Sequence, residues 1–502
     1  MNEKKKILFI KYFTPANFDQ RTIGAILNHR YDVSYLTILS DDGFKSLKGE
    51  KTHDRENYRK LGKFCSNYDF ILIGALSFDE KRIFEFITYL NRNYPDLRLL
   101  LGGPLAMAEP EKCLKYVDYL CIWDAYNIMQ LFDYIETGKF PEGGLDNFVI
   151  KGKNEFPGLS LPKTYDEYPV PDFASEENYS YLNGKLMKLG KYTPKMVYFE
   201  TEKGCIFNCS FCSISHYNKI KRQNKMPLVV KSSMIVVLEK LRKIKSNLRK
   251  DACIDILDDN FFVYSEEEIQ YFVDHYDKEI GLPVIIQTDP RSENFIEKFR
   301  IISKIKNMKV FACGIQTGSE QFNLRVYNRS QKNKLIIDNH RSMKKIMRRQ
   351  GVKFTVLYYI IYNNPLEKRE DVLDTINLML NLRGKEFEFQ LNAYSLIPST
   401  ILGERLKDYY NDIYTFRDPQ FNVFRKNAFY NLFLFIINKI NFMGADFLLP
   451  SKFKENIVTE LLNNKFLAKP YYKALINATY THEKRRLQKE REDILKRATI
   501  IA

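Results

Sequence analysis

The chain has 502 residues, 45% of them hydrophobic and 14% aromatic, which is too long for one ordinary core and apolar enough to fill two or three without disulfides. Its 78 Lys and Arg residues against 62 Asp and Glu give a net charge of +16. Such a charge favours anionic partners, either nucleic acid, a phosphorylated substrate or lipid headgroups. The basic runs are short and scattered, however, so we favour an ordinary solvated surface as the explanation of the charge.

The chain start and the cysteine content predict a cytoplasmic protein. The N-terminal Met-Asn-Glu-Lys-Lys-Lys leads into a short apolar run without a small-residue cleavage site, so we expect no signal peptide. No run reaches the ~18 apolar residues that a spanning helix needs. Eight cysteines without a secretory context indicate thiols that stay reduced.

Residues 1–138 alternate strand and helix patterns. Apolar runs of strand length occupy 7–13, 33–39, 70–76, 97–101 and 117–123. Helical spacing occurs within 78–94 and again over 127–136, before Gly138. Strands that are buried on both faces and separated by helices predict an α/β fold with a doubly wound parallel sheet of the flavodoxin type. Its ligand would lie at the carboxyl ends of the strands, near 76–77 and 102–104.

The remaining chain divides into three regions. Residues 139–195 carry six prolines and several glycines and are predicted to be an irregular linker. Residues 196–402 show six strand–helix units, which predict a full or partial (β/α)6 barrel with its chemistry at the carboxyl ends of the strands. Residues 403–502 change to helical patterns and are predicted to form a helical C-terminal region that ends in a charged helix near 483–497.

Residues 202–212, Glu-Lys-Gly-Cys-Ile-Phe-Asn-Cys-Ser-Phe-Cys, follow the first strand of the predicted barrel. Cys205, Cys209 and Cys212 are separated by three and two residues, so their thiolates can surround one face of an iron–sulfur cube. Gly204 allows the sharp backbone turn that aims three sulfurs inward. Three protein ligands leave one iron open to a small molecule that chelates through an amine and a carboxylate.

Spacing alone leaves two alternatives to a cluster. A structural zinc site would use the same cysteines with His216 as the fourth ligand, and three unrelated buried cysteines are the other alternative. The position favours the cluster, because a small zinc module would not be placed on the first strand of a six-unit barrel. Cys253 and Cys313 lie within strand patterns and are predicted to be core residues.

The motif Cys-x3-Cys-x2-Cys, with an aromatic residue before the last cysteine, resembles the signature of the radical S-adenosylmethionine (radical SAM) superfamily. Other segments resemble elements of that family in the family's order: Asp-Asp-Asn-Phe at 258–261, Thr-Asp-Pro-Arg at 288–291, Gly-Ile-Gln-Thr-Gly-Ser at 314–319, Asn-Arg at 328–329 and Leu-Ile-Pro-Ser-Thr at 396–400. One departure is Asn-Asn-Pro-Leu-Glu at 363–367, where the family usually has Gly-hydrophobic-Pro-Gly-Glu-Thr. The backbone near the adenosine is therefore expected to run differently.

The resemblance implies that the three cysteines bind a 4Fe–4S cluster, which cleaves S-adenosylmethionine to start radical chemistry. Phe211 would lie against the adenine, and the two arginines of the matching segments would reach the methionine carboxylate. The residues implied to contact S-adenosylmethionine or the substrate are Phe211, Asp258, Asp259, Arg291, Gly314, Gln316, Ser319 and Arg329.

The first domain, with Tyr-Pro-Val-Pro-Asp-Phe at 168–173, resembles the cobalamin-binding domain that precedes the barrel in the cobalamin-dependent radical SAM methyltransferases. The resemblance covers about residues 5–400 and implies that cobalamin lies near Ser77, Gly102, Gly103 and Pro104, where small residues let a corrin approach the backbone. Two family features are missing: a cobalt-ligating Asp-x-His-x-x-Gly, and a Gly-Glu-Gly-Glu run that Trp-Asp-Ala-Tyr replaces at 123–126. A domain that kept this shape and lost the cofactor is the alternative.

An apolar run at 429–437 lies between basic residues. We expect a buried helix that closes the barrel. An apolar wall for a lipid-like substrate, or a helix that associates with a membrane surface, is the alternative.

Together these features predict an enzyme that abstracts hydrogen from an unactivated carbon, most simply for C-methylation. Radical cyclisation, rearrangement or carbon–carbon coupling is the alternative within the family, and a zinc-bearing nucleic-acid binder is the alternative outside it. The expected cofactors are a 4Fe–4S cluster, S-adenosylmethionine and cobalamin. The expected partners are a small-molecule, lipid or peptide substrate and an electron donor such as a flavodoxin or ferredoxin, without nucleic acid.

Overall fold

Two parallel sheets covered by helices make up the protein. The computed structural model describes residues 4–12, 18–39, 55–76, 80–142, 144–153, 157–182, 184–394, 397, 399–406, 434, 437, 438, 441 and 499–500. The predicted ligand residue Ser77, most of the predicted helical C-terminal region and the charged helix near 483–497 lie outside these residues.

The front sheet contains nine strands in the described part of the chain. They are β1 Lys6–Tyr12, β2 Asp32–Leu39, β3 Phe70–Gly74, β4 Arg98–Gly102, β5 Tyr119–Cys121, β6 Phe148–Ile150, β7 Asn178–Leu182, β8 Lys185–Lys188 and β17 Thr499–Ile500. The central five run parallel in the order β2-β1-β3-β4-β5. This is the flavodoxin-type order, so the predicted fold class of the first domain is confirmed.

Helices cover both faces of the front sheet. They are α1 Phe18–Leu27, α2 Arg55–Cys65, α3 Glu80–Asn93, α4 Pro104–Ala108, α5 Pro110–Cys113 and α6 Ile128–Thr137. The apolar residues of α3 that recur at helical spacing are buried against the sheet. Helix α6 ends at Gly138, whose left-handed φ of 70° lets its N–H bond the Tyr134 carbonyl.

Residues 139–195, predicted to be an irregular linker, contain strands in the structure. They contribute β6, β7 and β8 to the front sheet, with β7 parallel to β2 and β8 antiparallel to β7. The sequence pattern does not predict these strands, because each has only three to five residues and the prolines around them dominate the local pattern. All six prolines lie outside these strands.

The second sheet is an open barrel of six parallel strands, among the residues described. They are β9 Met196–Phe199, β12 Cys253–Ile256, β13 Val284–Thr288, β14 Met308–Gln316, β15 Thr355–Tyr362 and β16 Phe387–Ala393, and they are hydrogen-bonded in that order. No pairing between β9 and β16 occurs within the described residues, so the predicted partial barrel is confirmed. A short antiparallel pair, β10 Glu202–Lys203 and β11 Val230–Lys231, lies above the first strand.

Helices surround the barrel on its outer side. They are α7 Ser213–Gln223, α8 Met234–Lys245, α9 Glu266–Glu279, α10 Phe295–Ile302, α11 Glu320–Arg325, α12 Asn333–Gln350, α13 Arg369–Asn381 and α14 Ile401–Arg405. Helix α9 begins with a capping box between Ser265 and Glu268. Cys313 is buried in the barrel core as predicted, whereas Cys253, the first residue of β12, is only half-buried.

The open edge of β16 is covered by a helical segment from the C-terminal region. Asn438 exchanges two hydrogen bonds with the backbone of Phe389, at 2.7 and 3.3 Å, and Asn441 donates to the Phe387 carbonyl at 2.5 Å. Leu434 and Ile437, the two described residues of the apolar run, are buried in the barrel core. At these two positions the structure agrees with a buried helix that closes the barrel. Within the described residues, no helix is long and apolar enough to cross a bilayer.

Candidate functional site

The cysteine loop lies between β10 and α7, above the first barrel strand. Gly204 has a φ of 115°, and a Cβ there would lie 2.1 Å from the Leu228 carbonyl oxygen, so only glycine fits. Asp259 accepts a hydrogen bond from the Gly204 N–H at 2.9 Å. The Asn218 side chain donates to the carbonyls of Cys205, at 2.7 Å, and Phe207, at 3.1 Å. The loop is therefore held from both sides.

Two arginines approach one of the three sulfurs. The guanidinium of Arg291 lies 3.4 Å from the Cys209 Sγ and that of Arg329 lies 3.6 Å from it. Asp289 lies between them: it accepts two bonds of 2.8 Å from Arg291 and one of 2.6 Å from Arg329. Burial opposes ionisation of Asp289, but the charges of Arg329 and Arg291 lower its pKa below the usual value. Arg291 also stacks 3.9 Å above the ring of Phe207.

In this structure the donors of both arginines bind Asp289 and face Cys209. Their contact with the methionine carboxylate of S-adenosylmethionine stays a prediction. Arg329 is almost fully buried and also donates to the Gly314 carbonyl and to Gln331. The sequence pattern does not indicate the role of Asp289, two residues before Arg291, because that role depends on Arg329, which is distant in the chain.

Three thiols on one loop are the donor set that a 4Fe–4S cluster uses. In the described residues, no three Cys, His, Asp or Glu side chains converge on one point that could hold a metal ion. A tetrahedral zinc site requires such convergence, whereas a cube bonds each thiolate through a different iron. Burial raises the pKa of Cys205, and it raises that of Cys212 to about 12. Without irons these thiols are neutral.

The two aspartates at the end of β12 differ in their surroundings. Asp258 is buried and accepts hydrogen bonds from the Thr201 N–H at 2.7 Å, the Thr201 hydroxyl and the Glu202 N–H at 3.2 Å, which ties β12 to β9. Burial raises its pKa to about 7. Asp259 lines the cavity described below. Asp259 is thus the aspartate placed to contact a ligand, and Asp258 supports the strand ends.

The segment after β14 is shaped by a local irregularity. The pairing of β14 with β15 shifts between Gly314 and Gln316, and Gln316 has a φ of 65°. A Cβ on Gly314 would lie 2.5 Å from the Gln316 amide nitrogen. Ser319 is buried, donates to Asp371 at 2.6 Å and caps α11. Its contact with a ligand stays a prediction.

Two further predicted features lie beside this segment. Phe211 is half-buried and packs edge-on against Tyr327, with ring centroids 4.8 Å apart. Asn363, at the position of the missing glycine, has a φ of 62°. Asparagine tolerates this left-handed conformation better than other non-glycine residues. Asn363 thus holds a backbone conformation that glycine adopts readily, and the expected difference of the backbone near the adenosine stays a prediction.

A cavity of about 410 Å³ lies between the front sheet and the barrel. The carboxyl ends of β1, β3, β4 and β5 form one wall, and the cysteine loop with the start of α7 forms the other. Predicted residues that line it are Gly102, Gly103, Pro104 and Asp259. The other described ones lie outside its lining: Cys205, Cys209, Cys212, Phe211, Asp258, Arg291, Gly314, Gln316, Ser319 and Arg329.

A salt bridge joins the two walls. Lys203, two residues before Cys205, donates to Asp124 at 2.9 Å, and the Tyr168 hydroxyl donates to the same carboxylate at 2.5 Å. Asp124 is buried, while Lys203 is deep in the protein but accessible from the cavity. Burial opposes its ionisation, but Lys203 and Tyr168 lower the pKa of Asp124. The segment that replaces the Gly-Glu-Gly-Glu run therefore supplies a salt bridge between the domains.

The front wall has features that fit a bound cobalamin. Gly103 has a φ of 91°, and a Cβ there would lie 2.8 Å from the Ala75 carbonyl oxygen. Glycine is needed there for the backbone contact with β3, and the strand ends stay open to the cavity. Gln20 Nε2 and Trp123 Nε1, both from residues that line the cavity, are buried without a hydrogen-bond partner in the described structure. Such atoms indicate a missing ligand or water.

Residues 200–376 match the family model of the radical SAM superfamily. No curated protein matches the chain. The radical SAM methyltransferase TsrM from Kitasatospora setae, solved with cobalamin and a 4Fe–4S cluster, is similar with a TM-score of 0.58 and 12% identity over 81% of this chain and 78% of that one. The cobalamin-dependent radical enzyme OxsB, solved with aqua-cobalamin and S-adenosylmethionine, has a TM-score of 0.54 and 13% identity over 82% of this chain and 56% of that one.

At these identities the likeness to TsrM and OxsB shows the fold, with its front sheet followed by a barrel, and nothing about the substrate. The family match covers the barrel from the end of β9 through most of α13, which includes all three cysteines. Residues 200–376 therefore form a radical SAM domain, and a front domain precedes it in the arrangement found in TsrM and OxsB.

Proposed function

We propose that this enzyme uses a 4Fe–4S cluster and cobalamin to methylate an unactivated carbon of its substrate. Cys205, Cys209 and Cys212 hold the cluster, and the carboxyl edge of the front sheet holds the cobalamin. When bound, the cluster supplies the electron that cleaves S-adenosylmethionine and the cobalamin supplies a transferable methyl group. A substrate that lies between them is activated and methylated without leaving the cavity.

The single observation that carries this proposal is the shared cavity. Its lining includes Gly102 and Gly103 of the front sheet, and Gly204 and Ser213, the two residues that flank the segment with the three cysteines. If the two cofactor regions opened on different faces, a methyl group on one could not reach a radical formed at the other.

The chain's own residues position and shield these groups. Asp259 fixes the glycine before the first cysteine, and Asp289 holds two guanidinium groups beside Cys209. The Asp124–Lys203 pair connects the cysteine loop to the front wall. An external electron donor such as a flavodoxin or ferredoxin reduces the cluster, and the substrate class is a small molecule, lipid or peptide.

The cluster is tested by anaerobic reconstitution of the full chain with iron, sulfide and S-adenosylmethionine under reducing conditions. We expect about four irons per chain and release of 5′-deoxyadenosine. Changing Cys205, Cys209 and Cys212 together to alanine should abolish both. The matched control is Cys253→Ala, a half-buried cysteine outside the loop, which should keep both. A triple variant that still bound the cluster would contradict the proposal.

Methylation is distinguished from the alternative radical reactions by product mass. Methyl transfer adds one methyl group per product and consumes a second S-adenosylmethionine, which is released as S-adenosylhomocysteine. A cyclisation, rearrangement or coupling consumes S-adenosylmethionine without this by-product. The similarity to OxsB, which is named a cobalamin-dependent radical enzyme rather than a methyltransferase, makes this the decisive measurement. Formation of 5′-deoxyadenosine without S-adenosylhomocysteine would refute methylation.

A further inference from the structure

Two hydrogen-bond donors on the front wall of the cavity lack acceptors. Gln20 belongs to α1 and is 3% exposed, and Trp123 follows β5 and is 8% exposed. Both side chains line the cavity. In the part of the chain that the structure describes, no acceptor lies within hydrogen-bonding distance of Gln20 Nε2 or Trp123 Nε1. An unpaired buried donor is unfavourable by about 1–3 kcal/mol.

The chemistry of these donors restricts the ligand. An amide N–H and an indole N–H can only donate, so they require oxygen acceptors and do not select a cation. The rest of the front wall is mostly apolar and includes Phe9, Leu72 and Leu100. The complementary ligand is a broad apolar body with carbonyl oxygens at its rim. A corrin ring, whose rim carries amide side chains, has this chemistry.

We infer that Gln20 and Trp123 donate hydrogen bonds to amide carbonyl oxygens at the rim of a bound corrin. This inference rests on the proposed function and assigns residues to it. Trp123 stands within the segment that replaces the Gly-Glu-Gly-Glu run of related front domains, and the neighbouring Asp124 is already engaged by Lys203 and Tyr168. The replacing segment thus provides Asp124, which joins the domains, and Trp123, which binds the corrin.

The test exploits the fact that Trp123 is the only tryptophan of the chain. Cobalamins absorb where tryptophan emits, so binding of hydroxocobalamin next to Trp123 quenches its fluorescence. Titration of the full chain then yields a dissociation constant. Gln20→Met keeps the length of the side chain and removes the donor. We expect hydroxocobalamin to bind this variant about fivefold more weakly, the usual effect of one neutral hydrogen bond. Gln270→Met, on α9 outside the cavity, is the matched control and should bind as the wild type does.

A stability measurement separates ligand binding from a structural role. Without ligand, Gln20→Met removes an unpaired donor, so the midpoint of thermal unfolding should stay the same or rise. The further stabilisation that hydroxocobalamin gives should shrink. A purely structural role for Gln20 predicts the opposite pattern, with a lower midpoint in the ligand-free protein and an unchanged ligand effect.

Trp123→Phe provides a second variant, followed by equilibrium dialysis and the absorption of the bound corrin. It too should bind several-fold more weakly. If the wild type binds hydroxocobalamin and both variants bind it with unchanged affinity, the assignment of these residues is overturned and the proposed function stands. If the wild type takes up no hydroxocobalamin, the cobalamin part of the proposed function fails and the assignment fails with it.

Discussion

Asp289 is the carboxylate on which two arginines beside the cysteine loop depend. It accepts hydrogen bonds from Arg291 and Arg329, and Arg329 is almost completely buried. A guanidinium stays charged at any physiological pH, so it cannot respond to the loss of its partner by losing a proton. The carboxylate is therefore needed for folding as well as for the position of both donors.

Asp289→Asn should destabilise the protein by about 3–5 kcal/mol, because it leaves a buried arginine without a counter-charge. Urea unfolding followed by circular dichroism measures the loss. Glu297→Gln removes a carboxylate from the exposed pair with Arg300 and should change stability by less than about 1 kcal/mol. Equal effects of the two substitutions would contradict this role of Asp289.

Arg291→Gln should make the cluster harder to reduce. A positive donor at a ligand sulfur stabilises the more negative, reduced form of a cluster, so its removal shifts the midpoint potential to more negative values. Redox titration followed by electron paramagnetic resonance measures the shift, with iron content as the check on loading. The same substitution at the exposed Arg300 is the control. An unchanged potential in a fully loaded Arg291→Gln protein would refute the effect.

Glu367 predicts a pH dependence of stability. Burial, and then the charge of Asp371, raise its pKa from 4.5 to about 8. Below pH 4.5 the side chain is neutral in both states, and as the pH rises to 8 only the unfolded chain releases the proton, so folding loses stability. Glu367→Gln should remove roughly 3–5 kcal/mol of this loss, measured as unfolding free energy at both ends of the range. Parallel pH profiles for variant and wild type would contradict it.

At the residue scale, the sequence predicts residues that act together within one short segment better than ion pairs between distant segments. The spacing of Cys205, Cys209 and Cys212 is a local property, and the structure places them in one loop, as expected. The partner of Arg291 and Arg329 is not a local property, because Arg329 reaches Asp289 only after β13 and β14 have paired. Composition and spacing carry no information about which carboxylate a buried arginine will meet.

The edge of β16 shows how an element depends on residues far along the chain. Edge strands expose unpaired backbone groups that invite pairing with other chains. Here the side-chain amides of Asn438 and Asn441, one helical turn apart, bind backbone groups of β16 and of the preceding turn. Amide side chains offer a donor and an acceptor together, as a neighbouring strand would.

Asn441→Ala should destabilise the barrel by about 1–3 kcal/mol, because it leaves the buried Phe387 carbonyl and Gly384 N–H unpaired. Thermal and urea unfolding measure the effect, and light scattering reports any association through the exposed edge. Asn381→Ala, where an exposed amide binds its own helix, is the control and should be close to neutral. A neutral Asn441→Ala would show that the edge needs no cover.

At the element scale, the sequence predicts the long, buried strands and misses the short ones. The runs that form β1–β5, β9 and β12–β16 are apolar and bounded by helices, so their periodicity is clear. Strands β6, β7 and β8 have only three to five residues among prolines. Their strand conformation comes from pairing with β5 and β2 rather than from their own pattern.

For the whole molecule, the contact of Lys203 with Asp124 links the position of the two domains to the cysteine loop. Lys203→Met should destabilise the protein by about 2 kcal/mol, because Asp124 remains buried with only neutral partners. In differential scanning calorimetry, the unfolding temperatures of the front domain and of the barrel should also lie further apart than in the wild type. Lys332→Met, at an exposed pair with Glu320, is the control. A single, unshifted transition in Lys203→Met would contradict the coupling.

The salt bridge between Lys203 and Asp124 limits which front domains and barrels can be combined in one chain. A barrel grafted onto the front half of a relative would carry Lys203 to a surface shaped for another neighbour. Unless the incoming half brought a carboxylate and a tyrosine to positions equivalent to Asp124 and Tyr168, the loop next to Cys205 would lose its anchor. Recombination during evolution, or in engineered chimaeras, should therefore succeed only when these three residues are inherited together.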